Sequence, residues 1–279
     1  MVMTDKDFRR LSEYIQAEFG IKLPPSKKQL LVSRLAKRLR VLNIGTYKEY
    51  CDYLFSDEGM EKEIVCMVDL VTTNKTDFFR ENDHFDYLVN TAIPELVRES
   101  GAGIRKPLMA WSAGCSTGEE PYTLAMVLNE FALSYPGLGF DYTVLATDLS
   151  SRVVEAAAKG VYSSDRLSPV PDELKRRYFL KSKDQAKGLV RVIPELRERV
   201  KFRRLNFMER DFGFREYMDI IFCRNVFIYF DRQTQENIIA RLLGHLRTGS
   251  YLFIGHSETL NAANCPLVRV APSVYKKMS

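Results

Sequence analysis

Residues 108–128 restrict the fold more than any other stretch of this chain. A short apolar run, Leu108-Met109-Ala110-Trp111, passes into the small-residue turn Ser112-Ala113-Gly114-Cys115-Ser116-Thr117-Gly118. The turn leads into Glu119-Glu120-Pro121-Tyr122-Thr123-Leu124-Ala125-Met126-Val127-Leu128, whose apolar residues recur at helical spacing. The pattern predicts strand, glycine-rich turn, helix. Glycine has no Cβ and tolerates positive φ, so such a turn lets a ligand approach the backbone closely. A second apolar run, Tyr142-Thr143-Val144-Leu145-Ala146-Thr147, ends in Asp148. An acidic residue at that point of a Rossmann-like unit is the expected partner of ribose hydroxyls.

The turn departs from the dinucleotide fingerprint. Gly114 and Gly118 stand in G-x-x-x-G rather than G-x-G-x-x-G spacing, which does not indicate a pyrophosphate. Glu119 and Glu120 open the helix, where they suit its dipole but would repel a phosphate. A cofactor with ribose and positive charge but no phosphate fits better, which points to S-adenosylmethionine.

The rest of the chain extends this α/β reading. Residues 1–70 read as short helices forming a small all-α domain, broken at Leu23-Pro24-Pro25-Ser26. Residues 71–82, polar, then aromatic, then basic, have no clean period; they could wall the site, or be a linker with Phe78 and Phe79 tucked into the core. Residues 83–279 read as an α/β domain interrupted at about 160–199 by a small antiparallel β insertion, with strand-like pieces at 178–180 and 189–193 joined by a 181–188 loop. Its edge could take a partner peptide by strand addition or be a mere excursion. The run Met218-Asp219-Ile220-Ile221-Phe222-Cys223 suggests a strand buried on both faces of a parallel sheet. Ligands of doubly wound sheets sit beyond the carboxyl ends of the strands, and there stand Gly114, Asp148, Asn206, Arg224, Asn225 and Tyr229. Helices are expected at about 85–99, 150–159, 171–179 and 231–247, with strands near 251–255, 267–270 and 274–275.

Composition excludes several classes. A chain of 279 residues, 46% apolar and 28% charged, is ordinary for a soluble globular protein. No apolar run is long enough to enter a membrane, and the N-terminus lacks a signal-peptide core. Five scattered cysteines without a C-x-x-C pair argue against disulfides and zinc and for the cytoplasm; no metal is indicated by the three histidines either. The net charge of +5 is unevenly placed: no acidic residue lies between Glu18 and Glu49, while Lys27, Arg34, Lys37, Arg38 and Arg40 do. Leu31, Val32, Leu35, Leu39 and Leu42 share one helical face, with Lys27, Arg34, Lys37 and Arg38 on the other. A solvated amphipathic face explains the alternation; a docking surface for an acidic protein or nucleic acid also explains the single sign of charge.

Four motifs carry a family resemblance. Thr72-Thr73-Asn74-Lys75-Thr76-Asp77-Phe78-Phe79-Arg80, Trp111-Ser112-Ala113-Gly114-Cys115-Ser116-Thr117-Gly118-Glu119-Glu120-Pro121-Tyr122, Ile221-Phe222-Cys223-Arg224-Asn225-Val226-Phe227-Ile228-Tyr229-Phe230 and Gly255-His256-Ser257-Glu258 resemble the CheR-type chemoreceptor methyltransferases. The resemblance implies a helical N-terminal domain, a Rossmann-like S-adenosylmethionine-dependent methyltransferase domain and an inserted β subdomain. It implies methyl transfer to the γ-carboxylate of glutamates on chemoreceptor cytoplasmic helices, leaving S-adenosylhomocysteine. It also places cofactor contacts at Asn74, Thr76, Arg80, Glu120, Asp148, Asn206, Phe207, Arg224 and Asn225, with Arg80 and Tyr229 flanking the methyl donor as catalytic residues. The docking helix coincides with the basic stretch at Lys27 to Arg40, and the β insertion with a subdomain that in some members binds a receptor C-terminal pentapeptide. A monomer is expected, with no nucleic acid as partner and no direct membrane insertion.

A glutamate carboxylate, with a pKa near about 4.3, is already a nucleophile at neutral pH, so no general base is needed. The rival readings are a nucleic-acid methyltransferase and a non-catalytic cofactor-binding regulator. Against the first, Asn225-Val226-Phe227-Ile228-Tyr229 is not an Asn-Pro-Pro-Tyr type of motif, and the basic stretch has few interleaved aromatics.

Overall fold

The structure, a computed structural model, describes residues 2–184, 186, 188–260 and 265–278. Two positions of the predicted 181–188 loop, Gln185 and Lys187, lie outside the described residues.

The N-terminal part is a bundle of five helices. Helix α1 (Asp5–Phe19) starts at a Thr4–Asp7 capping box that satisfies two orphan N–H groups. Its buried Phe8, Leu11, Ile15 and Phe19 form one face at helical spacing. Helix α2 (Lys28–Val41) turns Leu31, Leu35 and Leu39 inward into a core shared with α3 (Tyr47–Leu54) and α5 (Ile64–Val71), which α4 (Asp57–Lys62) joins.

A long helix follows in two pieces, α6 (Asp83–Tyr87) and α7 (Ile93–Ser100), joined without a break by a π turn over Leu88–Ala92. Pro94 has no N–H for the carbonyl four residues back, and the widened turn directly before it accommodates the ring.

The α/β part then alternates as the sequence predicts: β1 (Leu108–Ala113), α8 (Glu119–Ser134), β2 (Tyr142–Asp148), α9 (Ser151–Lys159). The insertion comprises β3 (Val161–Ser163), α10 (Asp172–Tyr178), β4 (Phe179–Lys181) and β5 (Leu189–Val192), paired antiparallel in the order β3-β5-β4. Strand β3, only three residues long, carries too short an alternation to be read from sequence. After α11 (Pro194–Glu198) come β6 (Val200–Arg204), β7 (Met218–Cys223), α12 (Arg232–His245), β8 (Leu246–Ile254), β9 (Leu267–Ala271) and β10 (Val274–Lys277).

The sheet order is β6-β2-β1-β7-β8-β10-β9, with five parallel strands and β10 running antiparallel between β8 and β9. The chain winds outward from β1 on one side and from β7 on the other, so the topological switch lies between them. The crevice at such a switch is where a doubly wound sheet binds its ligand. Strand β7 is buried along its whole length, as its apolar run predicts. Its one charge, Asp219, accepts the Met109 N–H at 2.9 Å and pairs with Arg247 at 3.1 Å. That pairing explains one boundary difference: the helix predicted through Arg247 gives way to strand at Leu246, which pairs with Met218.

Candidate active site and cofactor cavity

Beyond the carboxyl ends of β1, β2 and β7 lies a cavity of about 310 Å³. Asn74, Thr76, Arg80, Gly114, Glu120, Asp148, Asn206, Phe207, Arg224, Asn225 and Tyr229 all line it. Phe19 and Ile21, which the sequence gives no reason to place here, line it from the helical domain. They are brought over the sheet by an Ile21–Phe230 bridge and by the Lys22 N–H, which donates to the Tyr229 carbonyl at 2.8 Å.

The sheet side is built by the glycine turn and Asp148. Gly114 has a φ of 93°, and a Cβ there would sit 2.5 Å from Val226 Cγ2, so both backbone conformation and space require glycine. The N–H groups of Gly114 and Cys115 both donate to the Thr147 carbonyl at 2.8 Å, which fixes the turn on the end of β2. The Asp148 carboxylate accepts the Ser116 N–H at 2.9 Å on one oxygen and the Ser150 N–H at 3.0 Å on the other. Burial pushes its pKa above the usual carboxylate range, opposed by those N–H donors. Each oxygen keeps a second lone pair for a hydroxyl donor. Burial likewise raises the Cys115 thiol far above its ordinary value, so it is not a thiolate nucleophile.

Arg224 ties this side to the segment opposite. Its Nε donates to Glu120 Oε2 at 2.7 Å, while Ser112 Oγ donates to Glu120 Oε1 at 2.6 Å. Its Nη1 donates to the Arg80 carbonyl at 2.7 Å and to His84 Nδ1 at 3.2 Å, and the guanidinium lies over the rings of Phe85 and Phe222. Burial and the neighbouring Arg224 push His84 down to about 4, so at neutral pH its ring accepts that bond uncharged. Glu81, His84 and His256 bring ligand-capable atoms within 4.8 Å of one another. The acceptors of the first two, however, face Arg224 and, for Glu81, also Asn225 Nδ2 and the His256 N–H, at 3.2–3.4 Å. The cluster thus anchors Arg224.

The opposite side is the irregular segment 71–80, whose carbonyls lack a ladder and are met by arginines. Arg34 of α2 donates to the carbonyls of Val71 and Thr72 and to Thr73 Oγ1. Arg166 donates to the Thr76 carbonyl at 2.9 Å, and Ser116 Oγ to the Asn74 carbonyl at 3.0 Å. Phe78 is buried between Tyr162 and Phe179, so the segment is at once a wall of the site and, at Phe78, part of the core. Phe79 and Glu81 hold φ values of 54° and 55°, a conformation non-glycine residues avoid, on either side of Arg80. Arg80 itself donates to the Lys75 carbonyl at 3.0 Å, and the Tyr229 hydroxyl to the Thr73 carbonyl at 3.5 Å.

Both domains match family models. Residues 6–72 match "CheR methyltransferase, all-alpha domain" and residues 74–273 match "CheR methyltransferase, SAM binding domain". The chain belongs to the CheR methyltransferase family. Among its relatives, the chemotaxis protein methyltransferase of Borreliella burgdorferi is 39% identical over 99% of this chain and 95% of its own length. Chemotaxis protein methyltransferase 2 of Pseudomonas aeruginosa is 39% identical over 98% of this chain and 93% of its own. The Escherichia coli relative is 36% identical over 94% and 87%. The protein is therefore an S-adenosylmethionine-dependent methyltransferase, and its cavity holds a buried acceptor at Asp148, a glycine turn at Gly114 and, of the two carboxylates at the head of α8, Glu120.

Two features of this CheR-family methyltransferase were not legible in the sequence. Glu258 lies buried and accepts the N–H groups of Asn225, Phe227 and Gly255 at 2.7–2.8 Å. It thereby pins the loop that carries Asn225, at a φ of 58°, and Tyr229. Its place in Gly255-His256-Ser257-Glu258 was visible, its task was not. The second is the division of the basic face of α2. Lys27, Lys37 and Arg40 are exposed, but Arg34 is turned onto the 71–73 backbone and Arg38 forms a forked pair with Glu63 at 2.5–3.0 Å. Glu63 is fully buried and also accepts the Tyr50 hydroxyl, so Arg38 balances an internal charge. The projection put Arg34 and Arg38 opposite the leucines; long side chains reach back from there to partners distant in sequence.

Proposed function

We propose that this protein methylates the γ-carboxylate of specific glutamates on the cytoplasmic helices of a chemoreceptor, giving methyl esters. The observation that carries this reading is that Arg80 and Tyr229 line the same cavity as Asp148 and Glu120. A carboxylate acceptor would meet a guanidinium and a phenol there, while the cofactor's cationic part faces Glu120 and Asp148. S-adenosylmethionine supplies the activated methyl group. Transfer to a carboxylate oxygen joins one negative and one positive charge and moves no proton, so the residues have only to orient. Arg80 holds the acceptor by hydrogen bonds, weakly enough to leave an oxygen lone pair free, since Lys75 already takes part of its donor capacity. The Tyr229 hydroxyl, kept protonated by burial, donates to the acceptor or lines the methyl path. Asp148 takes the ribose hydroxyls, and Asn74, Thr76, Asn206, Phe207, Arg224 and Asn225 close around the rest of the cofactor.

Lys27, Lys37 and Arg40 dock the glutamate-rich receptor surface in this proposal, because their charges remain exposed. The strands β3 and β4 are the edges of the small sheet, which suits addition of an extended receptor peptide as a second contact. Incubation with labelled S-adenosylmethionine and receptor-bearing membranes, followed by mild base, tests the chemistry. Volatile methanol is the expected product; base-stable label, or none, would end the proposal. Arg80→Ala should reduce turnover far more than affinity for S-adenosylhomocysteine, whereas equal losses would move Arg80 to the cofactor shell.

A further inference from the structure

The β insertion reaches the cofactor cavity from behind. Arg166, in the 3-10 turn Ser164–Leu167 that follows β3, donates through Nη2 to the Thr76 carbonyl at 2.9 Å. The same nitrogen lies 2.6 Å from Glu119 Oε1. Thr76 lines the cavity; Glu119 is the first residue of α8, directly after the glycine turn. Glu119 is fully buried and accepts the Thr117 hydroxyl at 2.7 Å on its other oxygen. Two further contacts run the same way: the Tyr162 hydroxyl of β3 donates to the Thr117 carbonyl at 2.8 Å, and Phe78 is held edge-on between Tyr162 and Phe179. One small sheet thus grips both sides of the cavity, the 76–78 backbone and the 117–119 turn.

We infer that Arg166 is a positioning residue for the cofactor site, through which the β insertion sets the gap between the Thr76 wall and the head of α8. The physical reason is the double engagement of one nitrogen. It donates a hydrogen bond to a carbonyl in an irregular segment and forms an ion pair with a buried carboxylate, which fixes the separation of the two. The segment it holds has no helix or strand of its own between residues 72 and 82, so its place is decided by such bonds. It follows that anything bound to the insertion and shifting Arg166 would change cofactor affinity, and that cofactor would change the insertion's affinity by the same factor.

The inference rests on the cofactor occupying this cavity, so its test carries a control for that reading. Arg166→Met, Arg166→Lys and Asp148→Asn are compared with the unaltered protein for S-adenosylhomocysteine affinity by calorimetry, and for cofactor KM and kcat with receptor-bearing membranes. Arg166→Met is expected to weaken affinity about tenfold and raise cofactor KM by the same factor, with kcat at saturating cofactor little changed, as loss of a charge-assisted bond predicts. Arg166→Lys, which keeps a cationic donor, should recover most of the loss. Arg166→Met/Glu119→Gln separates positioning from charge balance: the affinity loss should persist, because the Thr76 carbonyl still lacks its donor. Full recovery in that double variant, or unchanged affinity in Arg166→Met while Asp148→Asn loses it, overturns the role of Arg166 alone. Unchanged affinity in Asp148→Asn overturns the cavity assignment and this inference with it. Should Arg166→Met fail to fold, Arg166→Gln, which removes the charge but keeps a polar side chain, is read by the same KM and kcat split, and unchanged cofactor affinity there overturns the role of Arg166.

Discussion

The two walls of the cavity beyond the strand ends are made in opposite ways. The sheet wall, Gly114 to Ser116 and Asp148, is fixed by backbone bonds between neighbouring strand ends and by a glycine that nothing larger can replace. The facing wall, residues 71–80, has no ladder and takes its shape from Arg34 of the helical domain, Arg166 of the β insertion and Arg224 of the sheet. One wall is set by glycine geometry and hydrogen bonds between adjacent strand ends, the other by three side chains arriving from three parts of the chain. The first is intolerant of small changes, and the second is where the rest of the molecule can act on the site.

The sharpest test of that difference is Gly114→Ala. A Cβ 2.5 Å from Val226 Cγ2, on a backbone at a φ of 93°, should reduce S-adenosylhomocysteine affinity about hundredfold while leaving far-ultraviolet circular dichroism unchanged. Affinity within threefold of the unaltered protein, measured by calorimetry, would mean the sheet wall yields as readily as the other.

On the facing wall the expected effect is smaller and graded. Arg34→Ala leaves the carbonyls of Val71 and Thr72 and the Thr73 hydroxyl without their donor, and should raise cofactor KM about tenfold. Lowered receptor methylation at unchanged cofactor affinity would instead make Arg34 a docking residue and remove it from the wall.

Acid distinguishes the walls next. Asp148 has its carboxyl raised by burial in the free protein, and hydroxyl donors from a ribose favour the charged form. A raised carboxyl stabilises the free fold on the acid side, a contribution lost as pH rises through the folded value; the bound cofactor reverses the preference. Cofactor affinity should therefore be full near neutrality and fall several-fold as pH drops through the raised Asp148 value, with protons released on binding in that window. Asp148→Asn should bind weakly at every pH; a retained acid dependence in calorimetry would assign it to another group. The weakest effect belongs to neither wall: Lys37→Glu with Arg40→Glu should lower kcat/KM for receptor a few-fold, an effect fading in high salt, with cofactor affinity intact. A change in that affinity would mean that the exposed charges also reach the site.

Where the chain's chemistry is local, the sequence carries it. The turn at Gly114, the apolar run into Asp148 and the fully buried β7 each depend on their own residues and neighbours, so strand, turn and helix follow from periodicity and glycine spacing. Four motifs in fixed order add a family, and through it a cofactor and a cavity lining that periodicity does not supply, Phe207 for example. The basic face of α2 shows where pattern stops. A helical projection separates the leucines from the cations but does not know that Glu63 is buried beside Arg38, or that the 71–73 backbone lies within reach of Arg34.

By itself, then, the sequence determined the α/β frame, the inserted small sheet and the polar groups at the strand ends, because side-chain period and glycine geometry act over a few residues. Only the tertiary structure decided which charges remain free, which carboxylate pins the Asn225–Tyr229 loop, and which arginines hold the second wall. Those choices are hydrogen bonds between residues up to 144 positions apart, such as Arg224 with Arg80, and no local pattern records them.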